Sequence, residues 1–193
     1  IRALFAYSSL AHMGFVLLAL GLVSQLGNSV AMLYTLVYAF TILSVFLIFS
    51  CMQINGREMM LLDDLKGLSI SQPAVASFLF VALFSLLGLP PFAGFMLKMK
   101  LLSALIENRY TVLAVLTIIP TVISAYYYIN MISLMYFQRA DESLVVDCDV
   151  SRGQQVFLFC ASILLLVVGL FPEWLLSMMA MVFQDKNLVY SVQ

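Results

Sequence analysis

Charge is what this sequence has least of. Only 10% of its 193 residues are charged, where a soluble domain carries about 25%. Hydrophobic residues make up 64% and the mean hydropathy is +1.08, so a soluble globular domain is excluded and a polytopic membrane protein remains. The net charge of -1 gives no basis for binding nucleic acid. The three cysteines, Cys51, Cys148 and Cys160, show no CxxC or other ligand spacing; two sit in apolar runs, and all are expected to be inert packing residues. The chain has no catalytic triad, metal-ligand cluster or glycine-rich phosphate loop, so neither an NADH site nor any cofactor is expected within it. It has no tandem repeat, no low-complexity segment and no cleavable signal ahead of a soluble body.

Long apolar runs are what the chain does have, and they predict an all-α membrane protein with about five transmembrane helices. The spans fall at about 3–24, 29–53, 72–104, 110–137 and 153–171, with polar loops at 55–71 and 138–152, all in one membrane domain covering 1–193. Tight links after the first and third spans make those helices antiparallel to their successors. Pro120 predicts a kink in the fourth span, and Pro172 an end or bend after the fifth. Glu173 to Phe183 reads as an interfacial piece or a continuation.

The third span is the unusual one. It is longer than the about 20 residues a bilayer needs, and Gly88-Leu89-Pro90-Pro91 interrupts it. Two prolines remove two backbone donors, and Gly88 and Gly94 let the chain bend on either side, so a discontinuous helix is expected. Non-helical backbone at membrane depth survives only where it is buried in protein or lines a wet cavity.

Basic residues outside the spans set the orientation. Arg2, Arg57, Lys66, Arg139 and Arg152 fall on the side of the N-terminus, against Arg109 and Lys186 on the other. The positive-inside rule then puts the N-terminus in the matrix or cytoplasm and the C-terminus outside.

Polar residues inside the spans are few. Lys98, a turn or so past the break, reads either as a snorkelling end residue or as a lysine held at depth, where a charge costs about 2.5–3.5 kcal/mol and marks an ion or proton path. Lys100 is the better snorkeller. His12, the one histidine, sits mid-helix and reads as a satisfied hydrogen-bonder or as a relay, since imidazole titrates near neutrality. Tyr7, Ser8 and Ser9 lie about one turn before it, so that hydroxyls and imidazole can share a face. Tyr126, Tyr127 and Tyr128 read as packing or interfacial aromatics, and Asn130 as a helix–helix hydrogen bond.

Ala6-Tyr7-Ser8-Ser9-Leu10-Ala11-His12-Met13-Gly14 resembles a signature of NADH dehydrogenase subunit 2, the N-type antiporter-like subunit of respiratory complex I. Leu86 to Lys98, LLGLPPFAGFMLK, is similar to that family's discontinuous helix. The Asp64 to Leu68 loop, the Tyr126 to Tyr128 stretch and Gly169 to Pro172 fit as well. The resemblance covers nearly the whole chain, at the level of the last five helices of an antiporter-like fold of about fourteen.

It implies a proton-translocating subunit of NADH:ubiquinone oxidoreductase, contributing the second half-channel. Lys98 would be that half-channel's lysine and His12 a member of the central hydrophilic axis, with Tyr7, Ser8, Ser9 and Lys100 as secondary candidates. Gly88, Pro90, Pro91 and Gly94 would form the structural break. Flavin, iron-sulfur clusters and ubiquinone would belong to partner subunits. The basic pair of the family ahead of the first motif is present only as Arg2, and the earlier half-channel is missing. The expectation is therefore a split subunit whose other half is a separate polypeptide docked beside the first and third spans, in the mitochondrial inner membrane ahead of a bacterial one, with a fragment of a larger chain as the alternative. Two rivals are a subunit of a multi-component sodium/proton antiporter, with the same broken helix and lysine, and a structural membrane-arm piece with no proton path.

Overall fold

The structure, a computed structural model, describes residues 1–54, 57–58, 61–139, 146–148, 150–171, 173–175 and 177–178. Helix α1 spans Arg2–Gly21 and α2 Gln25–Cys51. The turn between them is tighter than expected. Ser24 caps α2, its Oγ accepting from Gly27 N at 3.0 Å, so the helix starts four residues ahead of the predicted position 29. Gly27 lies against the Ala19 carbonyl with no room for a Cβ, which brings α1 and α2 into close antiparallel contact.

The third span is two helices, α4 (Pro73–Leu87) and α5 (Ala93–Glu107). Pro73 opens α4, where its missing N–H costs nothing. Gly88, at φ +81°, ends that helix in the left-handed conformation, and the Pro90-Pro91 peptide is cis. The two halves pack closely: a Cβ on Gly94 would run into the Ser85 carbonyl. Helix α6 covers Thr111–Phe137 and continues through Pro120; α7 covers Arg152–Leu170, opened by a capping box between Ser151 and Gln154.

The broken helix is the centre of the bundle. Helices α2, α6 and α7 each contact both α4 and α5, and Leu79, Leu83, Leu97, Leu101 and Leu105 are fully buried among them. Helices α1, α2, α6 and α7 are each long and apolar enough to cross a membrane alone, and with the broken pair they make an all-α polytopic membrane fold. The outer face of α6 is apolar and exposed from Val112 to Ile129, as a lipid- or protein-facing surface requires.

Three features depart from the expectations. The two polar loops are not only connections: Met52–Ile54 (β1), Arg57–Glu58 (β2) and Val146–Cys148 (β3) form an antiparallel sheet in the order β2-β1-β3, with Gln53 opposite both Glu58 and Asp147. The pairing brings both loops to one end of the bundle. Secondly, the loop ahead of α4 is partly core. After a 3-10 turn (Leu62–Leu65) and the short helix α3 (Leu68–Ser71), Leu65 and Leu68 are fully buried, and Gly67 N donates to Leu134 O of α6. Thirdly, Cys160 is exposed on α7 and Cys51 half-buried at the end of α2, so Cys160 is not a packing residue. Of the stretch from Glu173 to Phe183, residues 173–175 and 177–178 are helical; Pro172 and Lys186 lie outside the described residues.

Candidate functional site

Lys98 stands on the second turn of α5, and only 7% of its surface is exposed. Its stem does not run outward to the interface. The chain folds back over the break, and Nζ donates to the carbonyls of Leu86 and Leu87, each at 3.1 Å. Those carbonyls belong to the last turn of α4, where a helix leaves its final carbonyls without intrahelical partners and the dipole ends negative. The break therefore makes the receptor for the ammonium. Gly88 supplies the space: a Cβ there would stand 3.1 Å from Lys98 Cδ and 3.2 Å from Nζ. The Phe15 ring of α1 offers its face 5.4 Å from Nζ.

His12 lies one turn before Phe15 on α1 and is 4% exposed. Its Nδ1 bonds the Tyr34 hydroxyl of α2 at 2.9 Å, and its ring stacks on Tyr38 with centroids 4.8 Å apart. Phe15 meets the imidazole edge-on at 6.2 Å and so stands against both His12 and Lys98. A cavity of about 10 Å³, room for about one water, is bordered by His12, Tyr34, Tyr38, Thr41, Ser85 and Leu86. Among the described residues the Tyr38 hydroxyl is the buried side-chain polar atom without a hydrogen-bond partner. On the other side of Lys98 a larger cavity of about 180 Å³ reaches Phe95 on α5 and Thr117 and Thr121 on α6.

The hydroxyl residues before His12 separate. Ser8, four residues earlier, lies on the same face, is buried and hydrogen-bonds Tyr128. Ser9 is part-buried and turns its hydroxyl back to Ala6 O at 2.6 Å. Tyr7 is 75% exposed and does not share the face, because five residues of helix rotate it about 140° away. Lys100 is not a free snorkeller: Nζ meets Glu173 Oε1 at 2.6 Å, and the ammonium holds that carboxyl below its ordinary range. Asn130 is exposed on α6 and makes no helix–helix bond among the described residues. Tyr34 and Tyr38 are the residues sequence reasoning passed over, while Tyr128, read with its neighbours as a packing or interfacial aromatic, is the packing one. Fully buried against Phe5, with its hydroxyl on Ser8, it anchors α6 to α1, while Tyr126 beside it faces outward. Three consecutive tyrosines carry no signal that tells one from another until the helix phase is known.

An all-α membrane bundle built round a broken helix, with a lysine turned onto the carbonyls of the break, is the architecture of an antiporter-like membrane protein. Residues 1–124 match the family described as NADH:quinone oxidoreductase/Mrp antiporter, TM, and the chain belongs to that family. NADH-quinone oxidoreductase subunit N of Coxiella burnetii is 35% identical over 184 residues, 95% of this chain and 38% of the relative. The subunit of the same name from Hydrogenovibrio crunogenus is 34% identical over 178 residues, 92% of this chain and 37% of the relative. A chain of respiratory complex I from Thermus thermophilus superposes with a TM-score of 0.76 at 30% identity, covering 90% of this chain and 38% of that one. A chain of the Mrp complex from Dietzia sp. has the same fold, with a TM-score of 0.72 at 17% identity over 88% of this chain and 39% of that one. The chain thus spans less than two fifths of the relatives it matches.

Proposed function

We propose that this chain is the lysine-bearing C-terminal portion of the N-type, antiporter-like subunit in the membrane arm of NADH:quinone oxidoreductase, and that Lys98 is its switchable proton carrier. The observation that carries this reading is the Lys98 ammonium, buried and held by the Leu86 and Leu87 carbonyls at the break. A snorkelling lysine would reach for the interface; this one turns inward. A second positive charge arriving at His12 would repel the ammonium, since Phe15 stands against both groups. Charging His12 would thus drive the Lys98 proton into the cavity that leads past Thr117 and Thr121. Redox energy would come from partner subunits carrying flavin, iron-sulfur clusters and ubiquinone. We place the N-terminal end and the sheet on the matrix side of the mitochondrial inner membrane, or on the cytoplasmic side of a bacterial one.

The test is Lys98→Met, read as NADH-driven proton uptake in vesicles with assembly checked on a native gel. The expected result is an assembled complex with uptake strongly reduced; normal uptake would leave only a structural role. Likeness to the Mrp complex keeps a second reading, a subunit of a multi-component sodium/proton antiporter. Mass spectrometry of the native band decides between them. Flavin and iron-sulfur subunits support the first reading, and a band without them the second. The same experiment shows whether the rest of the subunit is a separate polypeptide docked beside α1 and the broken helix.

A further inference from the structure

The cavity beside Lys98 has a composition that a proton exit alone does not require. It holds about 180 Å³, more than the about 150 Å³ of an apolar cavity that takes up benzene. Phe15, Phe95, Leu101 and Leu102 line it, with Met99 and Ile118, both about half exposed, at its rim on the outer surface between α5 and α6. One group in it is ionic: Lys98, more than nine-tenths buried. An ammonium has three donors, and two are taken by the Leu86 and Leu87 carbonyls. The helix end they belong to supplies only about half a negative charge. Among the described residues no carboxylate pairs with Lys98. An apolar pocket with a cation at its inner end that no described carboxylate pairs, open at the exposed apolar surface between α5 and α6, fits an amphipathic anion.

We propose that this cavity binds an aliphatic monocarboxylic acid drawn from the bilayer, a fatty acid, with its carboxylate on the Lys98 ammonium and its chain leaving past Met99 and Ile118. The acid enters neutral, as lipid requires; if it meets neutral Lys98 its proton passes to the amine, leaving carboxylate and ammonium with no other reactant. Thr117 and Thr121 face the same space as further hydrogen-bonding groups. A bound carboxylate would hold Lys98 charged, so free fatty acid would act as a brake on whatever the lysine does. The site itself needs only the ammonium and the cavity, and stands apart from the pumping role.

The test uses octanoate carrying a terminal diazirine, on membranes containing the whole complex, with labelled peptides read by mass spectrometry. Labelling of the α5 and α6 peptides around Met99 and Ile118 is expected, displaced by octanoate and not by octanamide. Lys98→Met should lower it by about tenfold or more, the loss of a charge-assisted contact. Ile118→Trp, which fills the rim and keeps the lysine, should lower it too, so a poorly assembling lysine variant does not leave the matter open. Equal labelling by the octanamide form of the probe, or labelling that either Lys98→Met or Ile118→Trp leaves unchanged, overturns the site. If Lys98→Met loses the label and keeps proton uptake, the pumping role falls and the site stands; if it loses uptake and keeps the label, the reverse holds.

Discussion

A buried hydroxyl in this bundle is either paired or costly, and Ser8 with Tyr128 shows the paired case. Phenylalanine at 128 would leave the Ser8 hydroxyl without its partner in a site sealed by Phe5. Membrane-embedded hydrogen bonds average about 0.6 kcal/mol in mutant cycles, and a stranded buried group costs about 1–3 kcal/mol. Tyr128→Phe is therefore expected to destabilise by about 1–2 kcal/mol, and Ser8→Ala with Tyr128→Phe by no more than either change alone; thermal unfolding of the four variants in detergent measures both. The Tyr34 hydroxyl acts differently, because it bonds His12 Nδ1 and so fixes which imidazole nitrogen faces the small cavity. Tyr34→Phe should leave assembly intact and slow proton uptake, the split a purely structural tyrosine would not give. Lys98 and His12 were legible in the sequence as lone polar residues in apolar runs. Their partners were not: the Leu86 and Leu87 carbonyls are backbone groups, and Tyr34, Tyr38 and Tyr128 become distinct from other aromatics only when helix phase and neighbours are fixed.

At the level of elements, glycine decides how closely the pieces approach. A Cβ on Gly169 of α7 would strike the Pro91 carbonyl and stand 2.6 Å from the Phe92 carbonyl carbon, so the end of α7 clamps the break from outside. Gly94 clamps it from within, against Ser85. Alanine at either must push the break aside, at about 1–3 kcal/mol for overpacking, and move Leu86 and Leu87 relative to Lys98. Gly88→Ala adds a Cβ at φ +81°, strained by about 1–2 kcal/mol, and crowds the lysine stem. Gly14 is the control: nothing lies within 4 Å of the added Cβ, and Ala is the better helix former. The expected order is reduced thermal stability and reduced proton uptake for the variants at 88, 94 and 169, and neither loss for Gly14→Ala. The break was readable from Gly88-Leu89-Pro90-Pro91 because proline and glycine act on their own backbone. The sheet was not, since strands of two or three residues show no period and β1 finds β3 across some ninety positions of chain.

For the whole molecule, the sheet ties the end of α2 to the approach to α7 and fixes both polar loops at the end of the bundle that holds the start of α1. Basic residues fall there too: Arg2, Lys66, Arg139 and Arg152 are at that end, and Arg109 is at the other. Charge bias of this kind sets orientation, while acidic residues in the same loops contribute little. The turn between α5 and α6 should then face the outside and the end of α6 the matrix or cytoplasm. Asn108 and Gln138 mark the two ends, and both are exposed. With the native cysteines replaced by serine, Asn108→Cys should react with a membrane-impermeant maleimide applied from outside, and Gln138→Cys only after the membrane is opened. The reverse pattern would invert the chain and put the sheet outside. It would also carry the Lys98 cavity, lined by the middle of α5 and the first half of α6, into the opposite half of the membrane.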